Sequence, residues 1–130
     1  MTDFIHFRKI GDLTVRHVEG APDQDQIADA IRKNYADPTS KICWIMLPGS
    51  SIRKLNLRQV KEITATARSY AEERPGGKTA LVAAEHFEFA MGRVIETHSG
   101  LLNMPFDIRV FRTEAEAAEW LGVQAADLTE

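Results

Sequence analysis

Apolar positions along the chain fall into short runs that switch between a two-residue and a helical period. Residues 5–9 and 13–18 are rich in β-branched and aromatic side chains, and the Gly11-Asp12 step between them suits a tight hairpin, so two antiparallel strands are predicted. That turn sets Ile10 opposite Leu13, Arg8 opposite Val15 and His6 opposite His17. Pro22 stands ahead of Asp23, whose carboxylate can cap a helix while Gln26 reaches back, and Ile27, Ala28, Ile31 and Tyr35 supply an apolar stripe. This helix should end near Asp37-Pro38. Residues 41–47, KICWIML, are almost continuously apolar, as expected of a central strand covered on both faces. After a loop over 48–55, Asn56 and Gln59 repeat the capping arrangement, and Leu57, Val60, Ile63, Ala67 and Tyr70 recur at helical spacing. Arg58 with Glu62, and Arg68 with Glu72, form four-residue steps on the predicted wet face.

Pro75-Gly76-Gly77 ends that helix. Residues 79–84 then read as a short buried strand. Phe87, Ala90, Met91, Val94, Ile95 and His98 fit one face of an amphipathic helix closed by Gly100, followed by the apolar segment LLNMPF over 101–106. Residues 107–111 alternate as a strand, and Thr113 with Glu116 is a capping box opening a helix that docks through Ala117, Trp120 and Leu121. The tail beyond Gly122 is expected to fray. The order β-β-α-β-α-β-α-β-α implies a single α/β domain over residues 1–130: a mixed sheet with an N-terminal hairpin, later strands parallel, and about four flanking helices.

Composition narrows the function classes. Hydrophobic residues make up 44% and charged residues 27%, values of a folded globule. With 16 basic and 19 acidic residues interspersed, the chain offers no basic stripe for nucleic acid. No run approaches the ~20 apolar residues that span a bilayer, and MTDFIHFRKI does not read as a secretory leader, so a cytoplasmic location without a transmembrane segment is expected. The one cysteine, Cys43, reads as a small buried hydrophobe of a strand.

The chemistry-bearing fragments each lack a requirement. Gly76-Gly77-Lys78-Thr79 has the ending of a phosphate-binding loop, but a helix precedes it and a strand follows, the reverse of what that loop needs. His86 and Glu88 have the His-x-Glu spacing of zinc deaminases without the paired cysteines that complete that site. His98 suits a helix C-terminus, and the His6/His17 pair has no third ligand nearby. No serine stands in a nucleophile elbow. No catalytic residue, metal site or cofactor is therefore assigned, and the chain is read as a non-enzyme. Ser50, Ser51, Arg53, Lys54 and Asn56 form a candidate partner- or anion-binding loop, because they leave the C-terminal end of the apolar strand at the start of a helix. Phe89 falls off the apolar stripe of its helix; with Arg93, Leu101, Leu102, Met104 and Phe106 it forms a candidate interaction surface, which predicts a homodimer.

Three segments carry a family resemblance: GDLTVRHVEG leading into the first helix, LVAAEHFEFAMGRVIETHSG, and FRTEAEAAEWL. Together they resemble the SpoIIAA-like proteins, relatives of the STAS domain of sulfate transporters and anti-sigma factor antagonists, over residues 4 to 121. The resemblance implies a small, often dimeric α/β domain that regulates through a protein partner and has no enzyme activity. The antagonists' phosphorylated Asp-Ser-x-Gly signature has no counterpart in KLNLRQV, where Asn56 stands at the helix start, so that site is not carried over. A fold similarity to lipid-carrying Sec14 domains implies the alternative, a carrier of a lipid-like or small apolar ligand held beside residues 85–99 and 101–106.

Overall fold

A computed structural model describes residues 4–36, 38–69 and 75–129. Strands β1 (Ile5–Ile10) and β2 (Leu13–Val18) form the hairpin, followed by α1 (Gln24–Ala36), β3 (Lys41–Met46), α2 (Leu57–Ser69), β4 (Lys78–Val82), α3 (His86–Leu101), β5 (Asp107–Phe111), α4 (Glu114–Leu121) and α5 (Ala125–Leu128). The sheet has five strands in the order β1-β2-β3-β4-β5, with β1 antiparallel to β2 and every later pair parallel. The hairpin register matches the sequence expectation, with His6 paired to His17, Arg8 to Val15 and Ile10 to Leu13. Gly11 takes φ 57°, a left-handed value that glycine adopts without steric cost.

Strands laid down in sequence order and joined by crossovers of one hand put all the connecting helices on the same face. The side chains agree. Ile42, Trp44, Ile108 and Val110 share one hollow with residues of α1, α2 and α3. Their alternates Cys43 and Ile45 pack on the other face with Ala117, Ala118 and Leu121 of α4 and Leu128 of α5. The capping predictions for three helices hold: Gln26 N–H donates to Asp23 Oδ1 at 2.9 Å, Gln59 N–H to Asn56 Oδ1 at 2.8 Å, and Glu116 N–H to Thr113 Oγ1 at 3.2 Å. Arg58 reaches Glu62 at 3.9 Å. Asp37, Tyr70, Glu72 and the side chain of Tyr35 lie outside the described residues, and Arg68 donates to the Leu102 carbonyl at 3.2 Å.

Three expectations are corrected. The tail does not fray after Gly122: α5 docks Leu128 with no exposed surface, Arg8 donates to the carbonyls of Asp127 and Thr129 at 2.7 Å each, and His17 Nε2–H donates to the Leu128 carbonyl at 2.8 Å. Leu57, placed on the apolar stripe of α2, is 49% exposed because it occupies the first turn, ahead of the buried Val60 and Ile63. The inward face of α3 is only in part the one its hydrophobic residues outline: Met91 and Ile95 pack against the core, but the helix is rotated away from the rest of the stripe. Ala90 is exposed, and the buried positions are Glu88, Gly92 and Ser99. Gly92 permits this rotation, since a Cβ there would stand 2.4 Å from Val110 Cγ2.

Two charged groups are absorbed into the scaffold. Arg16, 2% exposed, lies with its guanidinium 5.1 Å from the Phe7 ring centroid and 5.5 Å from that of Trp44. Desolvation by burial lowers its pKa to about 10, which still leaves it charged at neutral pH. On the outer edge of β5, the Val110 N–H donates to Glu96 Oε2 of α3 at 2.9 Å.

Candidate ligand cavity

An apolar hollow lies between the sheet and helices α1, α2 and α3, with a volume of about 150 Å³. Val18, Trp44, Leu81 and Val110 form its floor, and Ile31, Val60, Ile63 and Ile95 form its roof. These side chains meet there because the strands alternate, α1 and α2 each turn an apolar stripe inward, and α3 contributes the mixed face of Glu88, Gly92 and Ile95. The wall is hydrocarbon with three polar exceptions, Thr64, Thr79 and Glu88, of which Glu88 alone is titratable. Thr64 Oγ1–H is spent on the Val60 carbonyl at 3.0 Å.

The loop over 48–55 closes one end. Its polar groups are used internally: Ser50 Oγ–H donates to the Leu47 carbonyl at 2.6 Å, Ser51 N–H to the Gly20 carbonyl at 2.7 Å, and Arg53 N–H to Ser51 Oγ at 3.0 Å. The Arg53 guanidinium rests 4.4 Å from the Phe87 ring centroid, Asn56 caps α2, and Lys54 is exposed. The apolar residues of the same loop, Ile52 and Leu55, turn inward and join the cavity wall. The candidate anion-binding residues therefore build a cover whose inner face is hydrocarbon and whose outer face carries Arg53 and Lys54.

The candidate interaction residues are brought together only in part: Arg93 and Leu101 line one shallow surface hollow with Lys61, Val94, Thr97 and His98, whereas the others lie elsewhere. Phe106 is 5% exposed and forms part of the cavity wall, so it faces inward. Phe89 is half-buried with the Arg112 guanidinium 4.0 Å from its ring centroid, and Arg93 pairs with Glu96 at 3.5 Å. Leu101 is 80% exposed, but it lies twelve residues further along α3 than Phe89, about 18 Å at 1.5 Å per residue. Leu102 and Met104 are half-buried.

The remaining titratable fragments separate as well. His86 is exposed while Glu88 is buried, and the described residues contain no group of three or more His, Cys, Asp or Glu side chains able to hold a metal ion. His6 and His17 share a register position but engage different partners: His6 Nε2–H donates to Glu19 at 2.6 Å in solvent, whereas His17 is committed to α5. Lys78 follows its turn into β4, where its ammonium donates to the Trp120 carbonyl at 2.9 Å. Cys43 is fully buried, and desolvation, reinforced by the negative charge of Glu114, pushes its thiol up to about 12.

Glu88 is the residue sequence reasoning set aside with the deaminase motif. The available signal was its place at i, i+4, i+7 and i+11 with Gly92, Ile95 and Ser99, a face that hydrophobicity counting ranks low. No helix among the described residues is long and apolar enough to cross a membrane. Comparison with protein-family models, with curated proteins and with solved structures gives no match.

Proposed function

We propose that this chain is a non-catalytic binding domain that encloses a small apolar ligand between its sheet and α1–α3. The observation that carries the reading is the cavity itself. Apolar cavities of this volume stay dry and admit benzene-sized molecules. The wall carries one titratable side chain, which supports binding rather than turnover, since acid–base or nucleophilic chemistry uses convergent groups. This reading gives the carrier alternative precedence and trims it, because the volume accommodates about six non-hydrogen atoms at the benzene proportion, not a long acyl chain.

The SpoIIAA-like resemblance implies a different class of function, regulation through a protein partner, and shares with the cavity reading only a role without enzyme activity; the mixed sheet with its N-terminal hairpin is compatible with an α/β domain of either kind. A protein-contact reading, including a homodimer, is favoured by one observation, the 80% exposed Leu101 on the outer side of α3. Titration with benzene, followed by methyl NMR and thermal denaturation, tests the cavity. Saturable shifts confined to Ile31, Val60, Ile95 and Val110 with a rise in melting temperature are expected; no shift at those methyls at millimolar benzene refutes it.

A further inference from the structure

We infer that the ligand of this cavity is a compact apolar amine whose ammonium is held by Glu88; the inference rests on the cavity being a binding site. Glu88 is 5% exposed, in the first turn of α3, and contributes to a wall that is otherwise nearly all hydrocarbon. An acidic side chain three residues into a helix usually reaches back to the cap residue, and it gains from the helix dipole there. In this helix the cap residue is Glu85, which makes no side-chain capping bond, and Glu88 turns inward instead. Its Oε2 accepts the Ile52 N–H of the covering loop at 3.3 Å, a long bond. A carboxylate offers about four acceptor positions, so one such bond leaves most of its capacity unused.

Among the described residues no cation pairs with Glu88: the ion pairs seen there include His6 with Glu19, Lys33 with Asp29, Arg58 with Glu62 and Arg93 with Glu96, and none involves it. The guanidiniums that engage its sequence neighbours rest on their aromatic rings, Arg53 over Phe87 and Arg112 over Phe89. Both rings project from the residues adjoining Glu88, so the arginines engage its neighbours and leave the carboxylate to the cavity. A carboxylate placed in apolar surroundings without a counter-charge is costly, and a ligand that brings the counter-charge recovers that cost. An alkyl or aryl body of about five to seven non-hydrogen atoms with one ammonium group fits both the volume and the charge.

The test compares four probes of nearly equal size by calorimetry and thermal shift at neutral pH: 3-methylbutylamine, 3-methyl-1-butanol, 2-methylpentane and 3-methylbutanoate. The amine is expected to bind at least about tenfold tighter than the alcohol or alkane, with the carboxylate weakest. In Glu88→Gln, which keeps the shape and an acceptor for Ile52 but loses the charge, the amine's advantage should fall to within about twofold while alkane binding is unchanged. The probe series on the unaltered chain remains decisive if the variant does not fold. Equal binding of amine, alcohol and alkane, or an amine preference that survives Glu88→Gln, overturns the ammonium assignment and leaves the apolar cavity standing. Failure of all four probes, together with benzene, overturns the cavity reading and this inference with it.

Discussion

Adding one methyl group at Gly92 should reverse its usual effect on a helix. In an exposed helix interior Gly→Ala stabilises by about 0.8–1 kcal/mol. At Gly92 the new Cβ would stand 2.4 Å from Val110 Cγ2 and 3.0 Å from Val110 Cβ. Valine is confined to few rotamers and its Cβ is fixed to the strand, so the conflict is relieved only by moving α3 away from β5. Overpacking of that kind costs about 1–3 kcal/mol, and the upper half of the range applies to a contact this short. Subtracting the propensity gain leaves Gly92→Ala destabilising by about 1–2 kcal/mol, roughly 3–10 °C in melting temperature for a chain of this size. Val110→Ala removes the nearest atoms and should itself cost about 2 kcal/mol. In that background Gly92→Ala should be close to neutral or mildly stabilising, a coupling of at least about 1 kcal/mol. Urea unfolding of the four proteins, with unchanged denaturant slopes, measures the cycle. A neutral or stabilising Gly92→Ala in the unaltered chain, or additivity across the cycle, would refute the close approach of α3 to β5 and with it the shape of the cavity roof.

Other consequences are open to direct measurement. Cys43 keeps its proton in the fold up to about 12, whereas the unfolded thiol ionises near its ordinary value of 9.0. Only the unfolded state loses that proton between pH 8 and 10, so stability should fall by about 1.4 kcal/mol over that interval relative to Cys43→Ala; parallel pH profiles for the two proteins would contradict it. Arg8→Ala removes two bonds to the carbonyls of Asp127 and Thr129 and should lower hydrogen-exchange protection across Ala125–Leu128 by about 1 kcal/mol while sparing β3. Asn56→Ala should cost about 1 kcal/mol in thermal or urea unfolding through loss of the α2 cap, with Asn56→Asp retaining most of it.

Much of the scaffold was legible because its signals are local. Gly11-Asp12 sets the hairpin register by itself, and the Asp23, Asn56 and Thr113 caps mark helix starts through bonds to residues three positions away. The succession of strands and helices along the chain and the parallel second half follow from alternation. Legibility ended where burial depends on a distant partner. Leu128 is buried because β2 and α4 receive it, and Arg8 reaches it across more than a hundred residues, so four residues of α5 carry no periodic signal of their own. The orientation of α3 is set by absence, a glycine that lets Val110 approach, and hydrophobicity counting gives absence no weight. Phe106 and Leu101 belong to one apolar segment yet face opposite environments, because the chain reverses between them through Asn103, a non-glycine residue with φ 53°. A cavity is likewise invisible in sequence, since it consists of volume that no side chain fills.

The bond from the Val110 N–H to Glu96 bears on how the molecule behaves in a crowd. A sheet edge is a template on which another chain can lay down a strand, and the outward N–H of Val110 is the group such a strand would seize on β5. Glu96 already occupies it, from a helix packed along that edge. An incoming strand would have to evict a carboxylate and meet its negative charge, so polymerisation through β5 carries a built-in toll. The helix that roofs the ligand cavity thereby also seals the sheet against recruitment at that side, and a variant that loosens α3 should become sticky as well as leaky.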